Sequence, residues 1–336
     1  MARHTTDLDY TGSKAAAFVM FELAARGLCK PHKYMTPNDL LDRGFYQFDN
    51  KVEMPQSHNK RSEEMMYFGN QLENFILKES CLKIGIENLN LSHEKAFTHP
   101  DIPMKVSLDG SAEGKGLVVK HDEDAGIFVM DDDEIKLDGL GVLEAKNTEK
   151  FPFETPPLEL GVIQLQAQMM CTAAKWGALC VMFRGNCLRV FLFKPHVEFQ
   201  DLIEQSALDW DRRISKYKLT GVKEWYEPVN IDDLAKTSDS QSTKNEVDLS
   251  NLVDISDKVS LIYSSKQEIG RLKEVIKESE FVVMKAMDNS ERAVCGKYEI
   301  GWGFRHIKAK PSVLLPAVEA KIERAKSLRI REIDLS

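Results

Sequence analysis

Long hydrophobic runs are missing. No apolar stretch in the 336 residues approaches the roughly 18 needed to cross a bilayer. The opening MARHTTDLDY lacks the apolar centre of a secretory leader, so none is expected. Cysteine pairs at metal or redox spacing are missing too. Cys29, Cys81, Cys171, Cys180, Cys187 and Cys295 include no C-x-x-C, which excludes a compact zinc or iron–sulfur pattern. Six reduced thiols packed as small hydrophobes are expected, and with them a cytoplasmic location. An excess of positive charge is also absent. The chain carries 45 Lys and Arg against 53 Asp and Glu, a formal net charge of −8, which argues against a histone-like, purely electrostatic nucleic-acid binder. It leaves room for an enzyme that gathers carboxylates in its site and places cations locally. With 43% hydrophobic and 29% charged residues, the composition is that of an ordinary globular protein, one large domain or two smaller ones.

Helix signals come first. Ser13 stands where it can cap a helix over 13–28, which three successive alanines favour. Thr36-Pro37-Asn38-Asp39 marks a second helix start. Residues 44–61 read as a polar surface loop. Ser62 opens a third helix, where Met65, Phe68, Leu72, Phe75 and Ile76 recur at helical spacing. Short strands are expected over 83–108, a meander over 111–141, and a strand at GVLEAK, 141–146. A proline-bearing loop at 150–160 leads into a helix, GVIQLQAQMMCTAAKW. Two apolar strands then meet in a hairpin around Gly185-Asn186, followed by an amphipathic helix over 198–218. This gives a core over 1–227. Residues 228–258, rich in Asp, Ser, Thr, Asn and Lys, read as a linker. A helix over 259–288, a strand-like GKYEIGWGFRHIKAK and a helix over 312–328 make a C-terminal extension, 259–336.

The chemistry concentrates in 106–170. Positions i and i+2 of a strand share a face, so Glu144 and Lys146 point the same way while Ala145 points into the packing. If Asp109 ends the neighbouring strand, three groups converge. Two carboxylates and the Ala145 carbonyl are hard oxygen ligands of the kind magnesium or manganese takes. Such a metal lowers the pKa of bound water and neutralises phosphate charge, and Lys146 can hold the water or the transition state. An E-x-K triplet alone is weak, since Glu and Lys alternate on many exposed strands. Here it sits on VLEAK, after a turn-borne Asp-Gly and before a helix carrying Gln164, Gln166 and Gln168. The three glutamines cannot all face one way; Gln166 is the preferred one.

In this order the pieces resemble the PD-(D/E)XK nuclease superfamily, and more closely the phage lambda-type exonucleases of the YqaJ-like viral recombinase family. The matching segments are TGSKAA, Gly69-Asn70-Gln71-Leu72-Glu73, Ser107-Leu108-Asp109-Gly110, Leu143-Glu144-Ala145-Lys146 and Gln164-Leu165-Gln166, spread over about residues 10–218. The resemblance implies a central mixed sheet flanked by helices with a helical C-terminal extension. It implies metal binding by Glu73, Asp109, Glu144 and Ala145, with Lys146 as the catalytic lysine. Gln166 would support the metal-site water, and Ser13, Lys14, Ser107 and Gln164 would contact DNA or its 5′ phosphate. It further implies Mg2+ or Mn2+, double-stranded DNA ends as substrate, a single-strand annealing protein as partner, and a homo-oligomer such as a ring trimer. Two departures stand out. Thr6 occupies the position of the family's 5′-phosphate arginine, with Arg3 the nearest arginine. The Asp109–Glu144 interval is long, so 113–138 reads as an inserted hairpin. A RecB-like or structure-specific endonuclease, and a non-catalytic DNA-binding protein on the same fold, are the alternatives.

Blander roles stand beside these. Glu73 can be an exposed helix residue and Ser13 only a cap. Asp138-Gly139 repeats the Asp-Gly pattern too close to Glu144, and Asp131-Asp132-Asp133-Glu134 reads as a solvated turn. Trp176, Trp210 and Trp225 are expected to pack. Arg184, Lys194, Arg212, Arg213, Lys216 and Lys218 are candidates for a phosphate-binding face.

Overall fold

The computed structural model describes residues 5–302 except 34, 56–59, 92, 94 and 239–245. It divides into two units, 1–237 and 238–336. The first is a mixed α/β unit with a central mixed sheet flanked by helices. Its helices are α1 (Gly12–Ala25), α2 (Pro37–Asn50), α3 (Lys60–Ile84), α4 (Val162–Thr172), α5 (Val197–Thr220) and α6 (Ile231–Thr237). Its strands are β1 (Tyr10–Thr11), β2 (Leu89–Asn90), β3 (Phe97–Thr98), β4 (Met104–Val106), β5 (Gly110–Lys120), β6 (Ile127–Val129), β7 (Glu134–Thr148), β8 (Trp176–Phe183) and β9 (Cys187–Phe193). The second unit holds a 35-residue helix, α7 (Val253–Met287), and a hairpin of β10 (Arg292–Cys295) and β11 (Tyr298–Gly301). The helix expected over 312–328 lies outside the described residues.

The six-stranded sheet runs β2-β5-β7-β8-β9-β6. β5 and β7 are antiparallel, β7 and β8 parallel, and α4 makes the crossover between the parallel pair. A parallel strand covered on both faces reads as a continuous apolar run. WGALCVMF of β8 is such a run, and every residue of it is buried. Val142, Leu179, Val181 and Phe191 face α1, α4 and α5, while Leu143, Ala145, Cys180 and Leu192 face α3. β7 therefore alternates between two cores, and the alternation fixes which face Glu144 and Lys146 occupy. A small sheet, β1-β4-β3, sets the start of α1 beside the segment that runs on to Ser107.

Three expectations change. The second helix does not stop before residue 44. Leu40, Leu41, Gly44 and Phe45 form one buried face, and a Cβ on Gly44 would lie 2.9 Å from Ile214 Cδ1. Gly44 permits close helix packing against α5. Nor is 228–258 all linker. Residues 228–237 belong to the first unit, where buried Asp233 accepts hydrogen bonds from the Thr36 hydroxyl (2.6 Å) and the Asn38 amide (3.2 Å). Finally, 113–138 is more than an inserted hairpin. β5 and β7 pair along their length with a bulge between Lys115 and Leu117, and the intervening β6 crosses to the far edge and pairs in parallel with β9.

Candidate active site

The site forms where β5 begins beside β7. The register Gly110↔Leu143 places Asp109 next to Ala145, whose backbone N–H donates to Asp109 Oδ2 at 3.0 Å. Glu144 is 1% exposed. Both of its oxygens are engaged: Lys146 Nζ donates to Oε1, and Gln168 Nε2 donates to Oε2 at 2.6 Å. Gln164 Oε1 accepts from Lys146 Nζ at 3.3 Å, and the same Gln168 amide reaches the Ser107 carbonyl at 3.1 Å. Three elements thus converge: the β4–β5 link, β7, and α4 through two successive turns.

Electrostatics follow from burial. Desolvation, then the negative charge of Glu144, pushes the Asp109 carboxyl up to about 8. Desolvation works against the Lys146 ammonium, but Glu144 outweighs it, and with Asp109 and Glu73 holds that ammonium above the ordinary lysine range. Glu73 is raised by its own burial and then by Glu144. Asp109, Glu144 and Glu73 around one ammonium leave the site with surplus negative charge.

Glu73 lies on α3 and lines a groove of about 850 Å³ together with Phe68, Lys146, Asn147, Thr148 and Arg184. Among the described residues, no three His, Cys, Asp or Glu side chains stand close enough to hold a metal by themselves. A cation here would rest on Asp109 and Glu144 with carbonyl and water oxygens, the sparse set that suits magnesium. The donor chemistry and the surplus negative charge fit such an ion.

The remaining candidates divide. Ala145 packs into the α3-side core, as the alternation requires. Ser107 has an exposed side chain beside the cluster. Ser13 is exposed at the start of α1 with its hydroxyl 3.1 Å from Thr11 Oγ1. It does not cap the helix; Thr11 does, accepting from the Lys14 N–H. The helix N-terminus does reach the site's flank, since a Cβ on Gly12 would touch the Gln164 carbonyl at 3.4 Å.

Two residues are elsewhere. Gln166 is two positions from both Gln164 and Gln168, about 200° around a helix. Its amide is buried on the other side, donating to the Lys194 carbonyl (3.0 Å) and accepting from the His196 N–H (2.9 Å). Gln166 holds the β9–α5 connection, and Gln168 takes the place expected of it. Lys14 turns away from the surface. Its ammonium donates to the Asp7 and Asp9 carbonyls at 2.6 and 2.7 Å and lies 4.7 Å from the Trp210 ring centre. Burial lowers it to about 8. It ties down the N-terminal loop and cannot present a cation to DNA. Arg3 lies outside the described residues. Asp138 is exposed at the far end of β7, paired with Lys136, and takes no part.

Sequence reasoning also missed Gly161. Its φ is +120°, and a Cβ there would sit 2.9 Å from Lys146 Cε and 3.7 Å from Glu144 Cγ. Only glycine lets the chain enter α4 against the lysine stem. The one available signal is its place immediately before the glutamine helix.

No protein-family profile matches the chain, and no curated protein does. Among solved structures it is similar to LHK-Exo in complex with dAMP, at 15% identity and a TM-score of 0.41, over 64% of this chain and 94% of that one. A second LHK-Exo structure, an alkaline exonuclease from Laribacter hongkongensis, gives 15% and 0.40 over 63% and 93%. The crystal structure of SSO0001 gives 12% and 0.28 over 62% and 86%. At these values the reading of function rests on the side chains themselves. No helix among the described residues is long and apolar enough to cross a membrane.

Proposed function

We propose that this chain is a metal-dependent deoxyribonuclease that shortens linear double-stranded DNA. The narrower reading is 5′→3′ resection of DNA ends by a phage recombination exonuclease, leaving 3′ strands for a single-strand annealing partner, with the enzyme acting as a homo-oligomer that encircles DNA. The observation that carries the proposal is the convergence of Asp109, Glu144 and Lys146 with Gln164 and Gln168, from which Lys146 opens onto the groove that Glu73 also lines.

Asp109 and Glu144 would hold Mg2+ or Mn2+, with Ala145 offering its carbonyl and Glu73 an outer carboxylate. The ion supplies phosphate charge neutralisation and a more acidic water. Lys146 is kept protonated by Glu144, so it can donate to a phosphate oxygen or to the attacking water. Gln168 fixes the Glu144 carboxylate, and Gln164 steadies the lysine from the opposite side. Ser13 and Ser107, exposed at the flank, are available to a terminal phosphate.

The test is hydrolysis of linear duplex DNA labelled at either the 5′ or the 3′ end, with and without magnesium, against Lys146→Ala and a closed circle. Magnesium-dependent loss of the 5′ label from linear DNA alone, absent in the variant, is the expected result. Cutting of the circle would indicate an endonuclease. Absence of cleavage with any divalent metal would leave a DNA-binding protein on this fold.

A further inference from the structure

The six cations that the sequence offers as a phosphate-binding face are not equivalent in the structure. Lys194 is paired with Asp132 at 2.5 Å. Arg212 is shared between Asp209 and Glu224, each at 2.7 Å. Arg213 bonds Asp209 and the Glu224 and Trp225 carbonyls, and Lys216 bonds Glu224 at 2.6 Å. The last three hold α5 to the segment that follows it, and the charge of all four is spent locally. Lys218 projects from the end of α5.

Arg184 differs. It is exposed, and among the described residues no carboxylate lies within ion-pair distance of it. Its guanidinium carbon sits 4.4 Å from the centre of the Phe151 ring, which is itself 75% exposed. A large aromatic left mostly in water under a guanidinium is an unusual use of apolar surface. The backbone of Arg184 is fixed as well. Its N–H donates to the Thr148 carbonyl at 2.8 Å, and its φ of +50° forms the tight turn between β8 and β9. The residue lines the same groove as Lys146 and Glu73. Thr148 is two residues beyond Lys146 on β7, roughly 7 Å at strand rise, so Arg184 is anchored to the strand that carries the lysine. Besides Lys146 the groove presents Glu64, Glu73 and Glu149, so an anionic strand entering it meets Arg184 as a second counter-charge.

We propose that Arg184 grips a backbone phosphate of the strand whose bond is cut at Lys146, and that Phe151 is the positioning residue that presents it. This rests on the nuclease reading for the identity of the ligand, but not on cleavage for its test. A planar guanidinium laid on a ring loses little freedom when it meets a phosphate, because its plane is already set.

The experiment uses the full chain and two measurements. Binding is measured in chelator, where no cutting occurs, with short DNA across a salt series. Arg184→Gln and Arg184→Asn are compared with wild type; asparagine suits the left-handed turn and guards against a folding artefact. Both variants should bind about fivefold to twentyfold more weakly at low salt, with the salt slope reduced by about one. Phe151→Leu should fall between, and Phe151→Tyr should retain wild-type binding. In magnesium, the same variants should raise KM with kcat nearly unchanged. A single uncharged methylphosphonate walked along the strand should weaken wild type at one position and leave Arg184→Gln indifferent there. Unchanged affinity and slope in both arginine variants would overturn the proposal, as would equal methylphosphonate sensitivity in variant and wild type at every position. A wild type that binds with this slope but never cuts removes the nuclease reading and leaves the phosphate grip standing. A wild type that cuts while Arg184→Gln matches it in KM does the reverse.

Discussion

The raised Asp109 carboxyl makes the metal-free protein sensitive to pH in an unusual direction. The Asp109 carboxyl is raised from 3.8 to about 8 by burial and by Glu144. Between those values the folded chain keeps a proton that the unfolded chain releases. Stability is therefore greatest at low pH for this group and is lost as pH rises towards 8. One bound proton corresponds to about 1.4 kcal/mol per pH unit. From about pH 6 to about pH 8 the ideal loss is about 2.3 kcal/mol, because the group is already half titrated at pH 8, and roughly 2 kcal/mol after allowing for relaxation around the site. Asp109→Asn carries no such proton. Urea unfolding in chelator at pH 6, 7 and 8 should show the wild type losing roughly 2 kcal/mol relative to Asp109→Asn across that range. A wild-type-minus-variant difference that stays flat from pH 6 to 8 would refute the reasoning. The same proton opposes cations: manganese affinity should strengthen about tenfold per pH unit below 8 and level off above it.

Other outcomes follow from single contacts. Gln168→Ala leaves a buried Glu144 oxygen without its donor, so it should destabilise the fold by about 1–3 kcal/mol in urea unfolding and lower kcat in the DNA assay. Gln166→Ala should destabilise comparably, with kcat unchanged in the folded fraction. Gly161→Ala sets a Cβ 2.9 Å from Lys146 Cε at a φ of +120°; a loss of about 1–3 kcal/mol and of activity is expected together. Lys14→Met should lower the melting temperature, yet leave the salt slope of DNA binding where it was, because that ammonium is bonded to the Asp7 and Asp9 carbonyls.

Much of the candidate site was legible because its elements are short-range. An Asp-Gly before one strand and an E-x-K on the next use only the two-residue period of a strand, and β5 and β7 keep that register. The glutamine helix carried its own answer, since positions four apart share a face and positions two apart do not; Gln164 and Gln168 pair by that rule, and the family-like Q-x-Q pattern drew attention to Gln166 instead. Lys14 was not legible. A lysine one residue past an exposed serine looks solvent-facing until the loop from Thr6 to Asp9 folds back and surrounds it with carbonyls. The continuation of the second helix past residue 44 was not legible either, because it depends on packing of Leu40, Leu41, Gly44 and Phe45 that the polar segment 44–61 does not announce. Gly161 needed the position of the Lys146 stem, which only the packed sheet defines.

The short strand β6 has a bearing on handling the protein. It covers the outer edge of β9 through Ile127↔Val190, Phe128↔Phe191 and Val129↔Leu192. Trimming residues 113–138 to obtain a minimal core would strip that cover and leave three successive apolar residues with unpaired backbone at the margin of the sheet. Such an edge recruits strands from neighbouring molecules. The excursion between the two carboxylates is thus a solubility device: shortened chains would be expected to clump through β9 long before their chemistry could be assayed.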